Sequence, residues 1–111
     1  MSELGDQIQQ EWSPAVAVFA GSLSNRYGQE PRIRSFGEEC FDGVVDFDCV
    51  WHLDFDGREV TVSVGVPPHG TPTEQQLAVV RVNSKFVSCV YDPGNLQVLV
   101  DATCEALGAV R

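Results

Sequence analysis

The clearest pattern in the chain is a strict alternation of apolar and polar positions between Asp46 and Asp56. Successive side chains of a strand point to opposite faces of a sheet, so this segment predicts a strand with one buried and one solvated face. The predicted buried face carries Phe47, Cys49, Trp51, Leu53 and Phe55, and the predicted outer face carries Asp46, Asp48, Val50, His52, Asp54 and Asp56.

A hairpin is predicted directly after this strand. Asp56-Gly57 is a two-residue turn signal, because type I′ turns need residues that tolerate positive φ. Alternate valines then continue the period of two, and pairing Phe55 with Arg58 sets each apolar residue opposite one of them: Leu53 with Val60, Trp51 with Val62, Cys49 with Val64 and Phe47 with Val66. Turn chemistry and hydrophobic pattern therefore predict the same register, and a slip by one residue would turn the apolar set outward.

The amino-terminal segment predicts an amphipathic helix. Its apolar residues recur at steps of three and four: Leu4, Ile8, Trp12, Val16, Phe19, Leu23 and Tyr27. Ser2 can cap the start of this helix, and Gly28 can end it. Pro14 interrupts the hydrogen-bond ladder, so we expect either a kinked helix or two helices that meet at Ser13 and Pro14. Both forms bury the same stripe against the sheet.

The remaining segments predict further strands and helices. Residues 32–41 predict a strand with a bulge at Gly37. Residues 71–74 match a capping box, after which either a helix to Asn83 or a strand from Ala78 fits the sequence. Residues 86–91 predict a strand. Asp92-Pro93 opens a last helix that ends at Gly108 and has one buried face: Leu96, Leu99, Val100, Thr103, Cys104 and Leu107.

Together these elements predict a single α+β domain over residues 1–111. Its antiparallel sheet has four or five strands, and the first and last helices pack on the face that bears Trp51, Leu53, Val62 and Val64. The predicted order is roughly α-β-β-β-α-β-α. This order is similar to that of small type III secretion chaperones, and the resemblance is one of element order alone.

Charge narrows the class of partner. The 111 residues include 16 acidic and 7 basic ones, for a formal net charge of −9. Direct nucleic-acid binding is not expected, because its affinity depends on Lys and Arg that displace counterions. Basic protein partners are favoured instead. Ala15 to Ala20 is the longest apolar run and is too short to span a membrane, and no secretory signal is expected at residues 1–10, so we predict a cytoplasmic protein.

The four cysteines and the acidic residues raise the question of a metal site. Cys40, Cys49, Cys89 and Cys104 lack the two-residue spacing of zinc ribbons, and Cys49 and His52 lie on opposite faces of the predicted strand. We therefore expect reduced thiols and no cofactor. Asp46, Asp48, His52 and Asp54 could hold a divalent ion on the outer face. The alternative is a solvated face that Arg32 and Arg34 neutralise from the neighbouring strand.

No catalytic motif is present, so the sequence favours a non-catalytic protein-binding module of the chaperone, immunity-protein or inhibitor kind. The candidate partner-binding residues form an acidic surface: Asp46, Asp48, His52, Asp54, Asp56, Glu59 and His69. Two alternatives stay open. One is a small metal-dependent hydrolase that uses the aspartates and His52, and the other is a homodimer formed by a sheet edge or by the helix from Leu96 to Leu107.

Overall fold

The computed structural model describes residues 3–28, 31–36, 39–41, 45–47, 49–65 and 76–109. In chain order these residues form helix α1 (Glu3–Tyr27), strands β1 (Arg32–Phe36), β2 (Glu39–Phe41), β3 (Val45–Phe47), β4 (Cys49–Phe55), β5 (Arg58–Gly65), β6 (Leu77–Val82) and β7 (Lys85–Val90), a 3₁₀ helix (Pro93–Leu99) and helix α2 (Val100–Ala109). Five strands form an antiparallel sheet in the order β1-β4-β5-β6-β7. The predicted α+β class is confirmed.

The central hairpin has the predicted register. Phe55 pairs with Arg58, and the inward residues pair as expected: Leu53 with Val60, Trp51 with Val62 and Cys49 with Val64. Asp56 and Gly57 form the turn with φ values of 55° and 91°, the positive angles that a type I′ turn requires. The expected partner of Phe47, Val66, lies outside the described residues; on the other side, which continues the register of β1, Phe47 pairs with Glu39.

Helix α1 is continuous across Pro14, so of the two expected forms the single helix is confirmed. Its predicted stripe is buried: Ile8, Trp12, Val16, Phe19 and Leu23. The helix ends as predicted at Gly28, which has a φ of 87° and donates from its backbone N to Ser24 O at 2.8 Å. The proposed cap, Ser2, lies outside the described residues.

Residues 32–41 contain two strands where one bulged strand was predicted. β1 pairs with β4, and β2 pairs with β3 as a separate two-stranded ladder. Phe36 pairs with Val50, and Glu39 pairs with Phe47. Glu39 comes three residues after Phe36, and Phe47 comes three residues before Val50, so the two ladders share one register. Gly37, where the bulge was expected, lies outside the described residues.

The predicted helix to Asn83 is wrong, and the alternative strand is confirmed. β6 runs from Leu77 to Val82 and forms a tight hairpin with β7. Asn83 and Ser84 connect the two strands with φ values of 48° and 70°. The β-branched valines of this segment favour a pleated sheet, and their burial between β5 and β7 outweighs the helix-start signal that precedes them. Residues 71–75, which carry that signal, lie outside the described residues.

The carboxyl-terminal segment is helical, as predicted, but in two forms. A 3₁₀ helix begins after Asp92, whose Oδ1 accepts from Gly94 N at 2.9 Å, and α2 follows directly. Gly108 lies inside the last turn of α2, so the predicted stop there is wrong. Buried side chains from both helical parts face the sheet: Leu96, Leu99, Val100, Thr103 and Leu107.

The core lies between the helices and one face of the sheet. It combines the α1 stripe and the carboxyl-terminal helices with the inward residues of β4, β5 and β6, including Trp51, Leu53, Val62 and Val64. Tyr27 closes one end: its ring packs edge-on against Phe55, with ring centres 5.5 Å apart, and its hydroxyl accepts from Arg58. Among the described residues, no helix has the length and hydropathy needed to cross a bilayer.

Candidate functional site

The candidate surface is the outer sheet face, defined as the sheet positions on the side opposite the two helices. The strand register arranges these positions in three rows across the sheet. The first row is Arg32, Asp54 and Glu59; the second is Arg34, His52, Thr61, Arg81 and Phe86; the third is Phe36, Val50, Ser63, Val79 and Cys89. Four residues of the predicted site lie on or beside this face: His52, Asp54, Asp56 and Glu59.

His52 and Glu59 form a pair on adjacent strands. Nδ1 of His52 lies 3.1 Å from Oε2 of Glu59, and the two side chains are 17% and 40% exposed. They are diagonal neighbours, because His52 pairs with Thr61 and Glu59 with Asp54. Side chains in this relation are within reach of each other across two strands. The imidazole of His52 and the carboxylate of Glu59 are therefore in contact on the outer sheet face.

Asp54 and Asp56 both serve the hairpin turn. Oδ1 of Asp54 accepts from Gly57 N at 2.9 Å, which fixes the turn that follows β4. Asp56 occupies the first central position of that turn and is exposed. Asp54 also lies opposite Arg32 in the β1–β4 ladder. This register agrees with the expectation that arginines of the neighbouring strand lie beside the outer-face carboxylates.

The expectation that the whole outer face is solvated is wrong. Val50 and Ser63 are fully buried, and Thr61 and Val79 are nearly so. Val50 and Val79 form a second, smaller apolar cluster with Leu77 and Cys89 packed against it. The strand alternation identified which residues share a face but not how deeply that face is buried, because depth depends on what lies above the sheet.

The other predicted site residues fall elsewhere. Asp46 lies in β3 and pairs with Cys40 of β2, outside the five-stranded sheet. Asp48 and His69 lie outside the described residues. The structure therefore brings His52, Asp54 and Glu59 together, places Asp56 in the adjoining turn, and places Asp46 in the second ladder.

A metal centre gains no support from the described part of the chain. Within it, no group of three His, Cys, Asp or Glu side chains is placed to hold an ion. Two of the proposed ligands already have partners, since Asp54 accepts from Gly57 and His52 contacts Glu59. Cys49 points into the core while His52 lies on the outer face, as the sequence predicted.

A depression of about 520 Å³ between α1 and the carboxyl-terminal helices was not predicted. Ser22 Oγ donates to Gln97 Oε1 at 3.0 Å across it, and Arg26 pairs with Asp101. Burial raises the pKa of the nearby Cys104 thiol, and Asp101 acts in the same direction while Arg26 opposes it. Asp101 in turn raises the pKa of Arg26 through a hydrogen bond and its charge. These polar groups connect α1 to the 3₁₀ helix through Gln97 and to α2 through Asp101.

Two exposed aromatic residues, Phe86 in β7 and Tyr91 directly after it, were not predicted. Phe86 is 64% exposed and Tyr91 is 54% exposed, although both belong to an apolar segment that predicts a strand. Their exposure follows from the position of β7 at the edge of the sheet. That position depends on strand order, which the local pattern does not specify.

No protein-family model, curated protein or solved structure matches this chain.

Proposed function

We propose that this protein is a non-catalytic protein-binding module that captures a basic partner through an acidic surface, which we define as the acidic residues of the segment 38–59. This segment contains half of the 16 acidic residues of the chain and one basic residue, Arg58. The acidic ones are Glu38, Glu39, Asp42, Asp46, Asp48, Asp54, Asp56 and Glu59. This concentration of like charge is the observation that carries the proposal.

The register indicates which of these charges are available. Arg32 lies opposite Asp54 in the first row, and the second row carries Arg34 and Arg81, so these arginines balance the negative charge of Asp54 and Glu59 within the sheet. Within the β2–β3 ladder the register pairs Glu39 with Phe47, Cys40 with Asp46 and Phe41 with Val45, and none of these six residues is basic. The proposed binding surface is therefore centred on β2 and β3 and not on the outer sheet face.

A concentrated acidic surface has two physical consequences for a binding module. It attracts a basic partner over a distance of about 8 Å at physiological ionic strength, which raises the association rate. It also repels acidic proteins and nucleic acids, which contributes to specificity. The proposed module is of the chaperone, immunity-protein or inhibitor kind. We also propose a cytoplasmic location, which agrees with Cys49, Cys89 and Cys104 being free thiols.

The first step of the test is to identify the partner by affinity purification with the full chain as bait, followed by mass spectrometry. The second step is titration calorimetry of the purified partner against two double variants. Asp46→Asn with Asp48→Asn removes two charges from the acidic surface. Glu11→Gln with Glu105→Gln removes two charges from exposed positions on α1 and α2 and serves as the matched control.

The proposal expects the Asp46/Asp48 variant to bind about tenfold more weakly, since each lost charge pair at an interface is worth up to about 1 kcal/mol. The control should bind like the natural sequence. Affinity should also fall as salt is raised, and less steeply for the Asp46/Asp48 variant. Equal affinity of both double variants would show that binding does not use the acidic surface.

A further inference from the structure

The edge strand β7 has the features of a self-association surface, and this inference is independent of the proposed function. In the order β1-β4-β5-β6-β7, strands β1 and β7 are the two edges of the sheet. An edge strand presents backbone N–H and C=O groups that can pair with another strand. The two edges differ in protection, because β1 carries Arg32 and Arg34 at alternate positions, whereas the only charged residue of β7 is Lys85, at its first position.

Two large aromatic side chains are exposed at opposite ends of this edge. Phe86 lies near the start of β7, and Tyr91 follows its last residue. They are two of only four large hydrophobic side chains that are exposed among the described residues, the others being Val18 and Val98 on the helical side. Exposed aromatic residues of this kind are typical of the buried centre of an interface.

The charge of this region permits two copies to approach. The segment 77–91 contains no acidic residue and has Arg81 and Lys85, although the chain as a whole carries a net charge of −9. Repulsion between two copies is therefore weakest when they meet along β6 and β7 and strongest when their acidic segments meet. Charge alone thus favours β7 over other parts of the surface.

The edge is also complementary to itself. When two β7 strands run antiparallel about a two-fold axis at Cys89, Cys89 lies opposite Cys89 of the other copy. With the bulge residue Val87 left out of the pairing, Phe86 then comes beside Tyr91 of the other copy. The same arrangement places Lys85 near Asp92 of the other copy, so aromatic and charge pairs both occur twice. The bulge where the β6–β7 register shifts limits the regular part of this pairing to the carboxyl-terminal half of β7.

We propose that the protein forms a homodimer in which the β7 edges of two copies pair antiparallel and join the two sheets into one of ten strands. A two-fold contact of this kind uses both β7 edges at once, so association stops at two copies. The arginines of β1 protect the remaining edges from further addition. The homodimer through the Leu96–Leu107 helix is not supported, because Leu96, Leu99 and Leu107 are buried in the core of their own chain.

The test measures molar mass by light scattering after size exclusion, across a dilution series of the full chain. The natural sequence should have twice the mass of one chain at high concentration. The double variant Phe86→Lys with Tyr91→Lys should have the mass of one chain and an unchanged circular dichroism spectrum, because both side chains are exposed. Val18→Lys with Val98→Lys, the matched control, should stay dimeric.

A second measurement uses Cys89, which lies near the proposed two-fold axis. Residues opposite each other across antiparallel strands have Cβ atoms about 5 Å apart, so a short bismaleimide should link two copies through this thiol. The cross-linked dimer should be lost in Cys89→Ser and kept in Cys104→Ser. A single-chain mass for the natural sequence at every concentration, or a dimer that survives the Phe86/Tyr91 change, would overturn the proposal.

Discussion

Replacing Ser63 by alanine should raise the free energy of unfolding. Ser63 lies on β5 between Val50 and Val79, it is fully buried, and its Oγ has no hydrogen-bond partner within the described part of the chain. A buried polar group without a partner costs about 1–3 kcal/mol. Alanine keeps Cβ and removes the hydroxyl, and the lost contacts of one atom are worth less than about 1 kcal/mol. The expected net gain is about 1 kcal/mol.

Chemical denaturation by urea, followed by circular dichroism, measures this gain. The midpoint should rise with an unchanged slope, and a gain of about 1 kcal/mol corresponds to a rise in Tm of about 4 °C for a domain of this size. Thr103→Val is the control, because that hydroxyl is also buried but donates to Leu99 O at 2.7 Å. It should lose about 1 kcal/mol. A loss of similar size in Ser63→Ala would refute the reasoning, since it would mean that the Ser63 hydroxyl is satisfied in the folded protein.

Three further changes test the turns and the thiol chemistry. Ser84→Gly should raise Tm by a few degrees, because Ser84 has a φ of 70° and left-handed backbone costs a side-chain-bearing residue about 1–2 kcal/mol, partly offset by the entropy of glycine; an unchanged or lower Tm would contradict this. Gly57→Ala should lower the free energy of unfolding by about 1–2 kcal/mol, since Gly57 has a φ of 91° and no atom lies within 4 Å of an added Cβ, so the loss measured by urea denaturation reports backbone strain alone. Alkylation of Cys104 by iodoacetamide should reach its half-maximal rate at a higher pH than alkylation of a small free thiol, because burial raises the pKa of Cys104. For the same reason the folded state should lose stability as the pH rises above the pKa of the unfolded thiol. A half-maximal pH at or below that of the free thiol would contradict both expectations.

The central hairpin was predictable because two independent signals agree. Asp56-Gly57 specifies the turn, and the alternation on both sides of it specifies the register, so Cys49 through Val64 could be paired from the sequence alone. The β6–β7 hairpin lacks both signals. Ser84 stands where type I′ turns prefer glycine, and the valines of β6 are buried on both faces of the sheet rather than alternating with polar residues.

The candidate surfaces were only partly predictable, because exposure depends on tertiary position. The alternation correctly placed His52, Asp54 and Glu59 on the side opposite Trp51. It did not reveal that Val50 is fully buried on that side while Phe86 is mostly exposed. The burial of Val50 depends on what lies above that side of the sheet, and the exposure of Phe86 depends on the position of β7 at the sheet edge. A periodic pattern specifies neither of them.

The common register of the β1–β4 and β2–β3 ladders limits how the length of this region can change. A single residue added between Phe36 and Glu39 would shift one ladder against the other unless one were also added between Phe47 and Cys49. An unmatched insertion would shift the pairing of β2 with β3 by one residue relative to the pairing of β1 with β4. A one-residue shift moves each residue of the shifted strand to the opposite face. Viable length variants should therefore alter both arms together, or vary the connection between Phe41 and Val45, where the ladder ends and parity imposes no such condition.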